Sequence, residues 1–148
     1  MCGLIKEVAG LSLSFHDPMS EKEALLLNML QLAYAGDAVW ELIVRTELIR
    51  KEYNVHHMHS ACIKLVNAHA QAGFVSLIYD ALSETERDLI RKGRNAHARH
   101  PAPRNQNPED YSASTGFEAL IGFLYLTGNE ERLMQISKMI IEGEAKNG

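Results

Sequence analysis

From Glu21 onward the apolar positions of this chain recur at the three-to-four-residue spacing of helices, and no stretch alternates convincingly with the two-residue period of a strand. The stretch EKEALLLNMLQLAYAGDAVWELIVRTELIR is dense in Leu, Ala, Met and Glu, which lose little side-chain freedom in a helix. Within it Val39, Leu42, Ile43, Thr46 and Ile49 keep helical spacing, while Gly36 either separates two helices or lets two backbones approach closely. A further helix is predicted over residues 59–74, broken near Gly73. Ser83 and Glu86 form a capping box that opens the next helix, which runs through Leu89 and Ile90 into KGRNAHARH and stops before Pro101. The segment marked by Pro101, Pro103 and Pro108 reads as a loop, with helix returning over about residues 114–126. A last helix takes Asn129 as N-cap, carries Leu133, Ile136 and Ile140 on one face and ends at Gly143. Residues 1–20, broken by Gly3, Gly10 and Pro18, read as an arm or lead-in, and residues 21–146 as one all-α domain.

Composition narrows the picture. A chain of 148 residues, 46% hydrophobic and 23% charged, buries one core and is not disordered. Cys2 and Cys62 have neither CxxC spacing nor a zinc ligand set, so reduced thiols are expected. Glu7 and His16 interrupt the early apolar stretch, which argues against a signal peptide, and no run approaches a membrane span. The expectation is a soluble, cytoplasmic protein. Its net charge of −4 is the wrong sign for a phosphate-binding surface unless positive charge is concentrated locally. It is: residues 87–104 hold Arg87, Arg91, Lys92, Arg94, Arg99 and Arg104 against the single acid Asp88. His97 and His100 add charge at lower pH. A solvated helix end favoured by the macrodipole is the plain alternative. Few aromatics are interleaved, which favours recognition of duplex shape over stacking on single strands.

Two acids stand out by isolation. Asp37 is the only formally charged residue between Ala24 and Trp40, and Glu118 the only one between Tyr111 and Asn129. Both stretches are apolar enough for core helices, and an unpaired buried carboxylate needs a partner or a cation. The residues alone leave simpler roles open: Asp37 as the cap of a helix beginning at Ala38, and Glu118 as the partner of Arg45 or Arg94.

The text around those acids carries a resemblance. LAYAGDAVWELIVR resembles the signature helix of the ribonuclease III family, FEALIGFLYL resembles its second acidic helix, and RKGRNAHAR looks like the basic segment of one subfamily. Together, over about residues 30–126, they are similar to the Mini-ribonuclease III group, which has the catalytic domain without a double-stranded-RNA-binding domain. The resemblance implies a ribonuclease III endonuclease-like helical bundle, homodimeric through the apolar signature helix. It implies that Asp37 and Glu118 bind metal and are catalytic, with Mg²⁺ as cofactor and Mn²⁺ as its substitute. It further implies cleavage of double-stranded RNA to 5′-phosphate products, with precursor 23S ribosomal RNA as target and a ribosomal protein as a further partner. Ala33 and Thr115 stand where full-length relatives carry two more acids, as in the Mini group, leaving fewer direct metal ligands. A non-catalytic RNA-binding or ribosome-assembly module on the same fold is the competing reading.

On that view Arg91, Lys92, Arg94 and Asn95 contact RNA, Asn95 through phosphates or ribose hydroxyls. Lys64 is a further candidate, a plain surface lysine being the alternative. His56, His57 and His59 resemble a metal cluster but lack a carboxylate or cysteine at ligand spacing, so a loop leading into a helix is expected. Glu41 is placed for an ion pair with Arg45 four residues on, or for the outer shell of a metal at Asp37.

Overall fold

A computed structural model of the chain describes residues 16–51, 54–96 and 102–147; most of the expected arm, and Cys2, His97, Arg99, His100 and Pro101, lie outside these residues. The described residues form helices joined by short connections, without a strand: α1 (Glu21–Leu25), α2 (Met29–Lys51), α3 (Val55–Val66), α4 (Ala68–Ile78), a 3₁₀ turn (Tyr79–Ala81), α5 (Glu84–Asn95), α6 (Pro108–Leu126) and α7 (Glu130–Asn147).

Side-chain caps set several boundaries differently from the periodicity. Asn28 opens α2, its side chain accepting from the Leu30 N–H at 2.8 Å while Gln31 accepts from the Asn28 N–H at 3.0 Å. The helix then runs unbroken through Gly36, so Asp37 is no helix cap. The break expected near Gly73 lies at Asn67, which ends α3 and caps α4 by accepting from the Ala70 N–H at 2.8 Å. Pro108 starts α6 rather than belonging to the loop, because Asn107 accepts from the Glu109 and Asp110 N–H groups and proline suits the first helical turn. α7 passes through Gly143, whose missing side chain makes room for Leu77. The Ser83–Glu86 capping box is present as expected.

The centre of the bundle is α6. Every residue from Ala113 to Leu124 except Glu118 is buried, and α2, α4 and α5 pack around it. Trp40, Phe74 and Phe117, one from each of α2, α4 and α6, meet edge to face with ring centroids 5.1–5.7 Å apart. The Trp40 Nε1–H donates to the Leu65 carbonyl at 2.9 Å, which satisfies the one polar atom of that side chain. On the far side of α6, Arg132 of α7 donates to both oxygens of buried Glu86 at 2.8 Å and ties α5 to α7. Burial works against the Glu86 carboxylate, but hydrogen bonds from Arg132 and Ser83 hold its pKa below the ordinary value.

Glycines set how close the helices come. A Cβ on Gly36 would lie 1.7 Å from the Glu118 carbonyl oxygen, and one on Gly122 would lie 1.9 Å from that of Leu32. α2 and α6 therefore cross backbone against backbone. Gly93 and Gly116 bring α5 equally near, a Cβ on Gly93 falling 2.7 Å from the Gly116 Cα. Gly122→Ala forces this crossing apart and should destabilise the fold by about 3 kcal/mol or more. Gly73→Ala, whose Cβ meets nothing within 4 Å, should instead stabilise by about 0.5–1 kcal/mol. Urea unfolding of both variants checks the opposite signs.

Candidate active site

The Gly36–Gly122 crossing decides what faces what. Asp37 follows Gly36 on α2 and Glu118 lies one turn before Gly122 on α6, so two acids 81 positions apart in sequence share one end of the crossing. The expectation of two buried carboxylates is corrected in part. Asp37 is exposed, and only Glu118 is substantially withdrawn from water. Among the described residues neither forms an ion pair: Arg45 is taken by Glu41 at 2.5 Å, and Arg94 bridges no acid.

Burial, reinforced by the negative charge of Asp37, pushes the Glu118 pKa up to about 8. The Gln71 side chain is the one neighbour favouring the charged form. Among the described residues neither its nitrogen nor its oxygen reaches ordinary hydrogen-bonding geometry with any group, although the residue is only 1% exposed.

Glu118 and Gln71 line a cleft of about 490 Å³ between the start of α4, the loop before α6 and the first turns of α6. At its mouth the His69 Nδ1 lies 3.0 Å from the Asp110 Oδ2. Sequence reasoning missed Gln71, His69 and Asp110. Gln71 had a signal, being the polar member of an apolar stripe continued by Phe74, Val75 and Ile78. The His69–Asp110 pairing depends on how α4 meets α6 and had none.

Arg91, Lys92, Arg94 and Asn95 occupy the last turns of α5, all exposed. Gly93 sits among them, so its contact with Gly116 brings this basic end beside α6 two residues from Glu118. The charges are not equally available. Asp88 pairs with Arg91 and, at 3.0 Å, with Lys92, whereas Arg87 is held by the Tyr79 and Asp80 carbonyls and lies over the Tyr79 ring. Lys64 is exposed on α3, one turn before the cleft-lining Asn67, and is not part of the α5 cluster. His56 and His57 sit in the first turn of α3 under the Asn54 cap, and among the described residues no group of three or more His, Cys, Asp or Glu could hold a metal. What the site offers a cation is the pair Asp37 and Glu118, with an orphaned buried amide beside it. Hard oxygen donors that few in number suit Mg²⁺, which keeps several waters and takes one or two carboxylates.

The raised Glu118 pKa makes a pH prediction for the metal-free protein. Between the ordinary carboxylate value and about 8 the unfolded chain releases a proton that the folded chain retains, so Glu118 lowers stability as pH rises through that window. Urea unfolding in chelator at several pH values should show this decline, and Glu118→Gln should remove it, so that the gap between variant and parent widens toward pH 8.

The sequence profile of the Ribonuclease III domain matches residues 30–129. A Mini-ribonuclease 3 of Symbiobacterium thermophilum is 46% identical over 113 residues, covering 76% of this chain and 86% of that protein. A Mini-ribonuclease 3 of a Thermoanaerobacter species is 41% identical over 125 residues, covering 84% and 87%. The crystal structure of a Fusobacterium nucleatum protein superposes with a TM-score of 0.72 at 30% identity, over 80% of this chain and 95% of that one. The helical fold, the crossing that carries both acids and these likenesses agree: the chain belongs to the ribonuclease III family of endoribonucleases, within its Mini-ribonuclease III group.

Proposed function

We propose that this endoribonuclease hydrolyses double-stranded RNA with Mg²⁺ held by Asp37 and Glu118, acts as a homodimer, and matures the ends of precursor 23S ribosomal RNA in the cytoplasm. Ribonuclease III enzymes act on double-stranded RNA and work with a divalent metal, which supports the first half of this reading. The observation that carries it is the meeting of two acids, neither paired to a base among the described residues, where two helix backbones touch.

When bound, Mg²⁺ supplies an activated water and neutralises charge on the scissile phosphate. Exposed Asp37 and the cleft-lining Glu118 would hold the ion. To bind, Glu118 would shed its proton, the positive charge offsetting the desolvation and the repulsion from Asp37 that otherwise keep it neutral. The basic end of α5 provides the phosphate contacts, with Arg94 immediately available and with Arg91 and Lys92 exchanging Asp88 for RNA. Lys64 extends that surface from α3.

The dimer has a candidate face. Tyr34 and Leu42 on α2 are 85% and 52% exposed; Leu42 borders an apolar groove with Val39 and Leu133, and a second groove with Met134 of α7. No single helix among the described residues is long and apolar enough to cross a membrane.

Asp37→Asn should abolish Mg²⁺-dependent cutting of a duplex RNA while leaving the far-ultraviolet circular dichroism unchanged; cutting at the parent rate would remove Asp37 from the site and favour a different catalytic centre. Replacing Lys92 and Arg94 together with Ala should weaken duplex binding and flatten its dependence on log salt by about one unit for each phosphate left without its cation. Filter binding between about 50 and 200 mM salt, the range over which phosphate neutralisation dominates affinity, measures that slope.

A further inference from the structure

Gln71 is the one buried side chain near the site whose chemistry is unused. It lies on the core face of α4, in line with Phe74, Val75 and Ile78, where an apolar residue would pack at no polar cost. Both of its amide atoms are buried and, among the described residues, neither reaches full hydrogen-bonding geometry, Glu118 being the acid its side chain approaches. Burying an amide in that state opposes folding, and replacing it by an apolar group of similar shape is neutral or better. Glu118 lies within reach of its NH₂, but the described residues supply nothing for its carbonyl oxygen.

The position of Gln71 narrows what that oxygen can meet. Gln71 and Glu118 line the same cleft, the amide facing the carboxyl across it. Basic groups do not pair with Glu118 among the described residues. A Mg²⁺ ion with only two carboxylates keeps most of its waters, and those waters need acceptors. An amide has both faces required: NH₂ donors for a carboxylate, and a carbonyl oxygen for a water.

We propose that Gln71 is a positioning residue of the metal site, its NH₂ donating to ionised Glu118 and its carbonyl accepting from a water in the hydration shell of the ion. This rests on the reading of Asp37 and Glu118 as the metal pair. Gln71 touches neither RNA nor the reacting phosphate; it fixes the carboxylate that does the binding. The orphaned amide is then a cost carried by the metal-free protein and relieved on loading.

The test sets stability against metal affinity, which a merely structural glutamine would move together. Gln71→Met keeps the length of the side chain and removes the amide; Gln71→Leu is a second variant in case methionine disturbs the packing. Mn²⁺ binding to the chelator-stripped, full-length protein is followed by the decrease of the free-ion electron paramagnetic resonance signal, and urea unfolding is measured without metal. The expected result is Mn²⁺ affinity lowered roughly 10- to 100-fold, with metal-free stability unchanged or increased. Affinity within twofold of the parent in both variants overturns the proposal, as does a loss of stability without loss of affinity, the signature of a glutamine that holds only a structural water. Asp37→Asn in the same titration separates the two readings: parent-like Mn²⁺ binding there removes the carboxylate pair itself, whereas loss there with retention in the Gln71 variants removes only the role of Gln71.

Discussion

Two helices in this protein touch through their main chains. Ordinary side-chain packing keeps helix axes about 8–10 Å apart, with side chains between them. At Gly36 and Gly122 there is no such cushion, and a single methyl group on either would overlap the carbonyl oxygen of the other helix. The crossing fixes the rotation of α2 and α6 about their own axes. It thereby fixes which residues flank the contact, and Asp37 and Glu118 do. A second contact of the same kind, Gly93 on Gly116, sets the basic end of α5 against the same helix. Acidic pair and basic strip are thus both referenced to α6, with no loop between either and the scaffold.

That rigidity permits an unfavourable charge arrangement. Loss of solvent and repulsion from Asp37 keep Glu118 neutral at a pH where a free glutamate would be ionised. A flexible site would relieve this by moving the carboxyls apart. Here the backbone contact holds them, and the aromatic triad of Trp40, Phe74 and Phe117 locks α2, α4 and α6 behind them. The strain is electrostatic; under the proposed function a cation between the two acids would relieve it, so the geometry that weakens the metal-free state would also favour loading.

Much of this was legible in the residues. Helical periodicity identified the all-α class, and the charge-poor surroundings of Asp37 and Glu118 marked them out within the chain. Gly36 admitted two meanings, a break or a close approach, and only the tertiary contact with Glu118 and Gly122 selects the second. Boundaries failed where one polar side chain overruled the apolar pattern: Asn67 divides α3 from α4, and Asn107 with Pro108 starts α6 earlier than its hydrophobic run begins. Exposure failed at Asp37 because the stretch that surrounds it is apolar on two faces. One face meets the core through Leu32, Trp40 and Ile43, while Tyr34 and Leu42 turn outward. Periodicity cannot distinguish a helix wrapped by its own chain from one that leaves half its apolar surface uncovered.

The aromatic triad has a practical consequence. The chain contains one tryptophan, and it is Trp40, fully buried, three residues beyond Asp37 and in edge contact with Phe117, the neighbour of Glu118. Its indole N–H is held by the Leu65 carbonyl at the end of α3, close to where the cleft begins. The emission of this single fluorophore accordingly samples the junction of three helices and both acids. The protein carries an intrinsic optical reporter beside its proposed active site, with no second indole to dilute the signal.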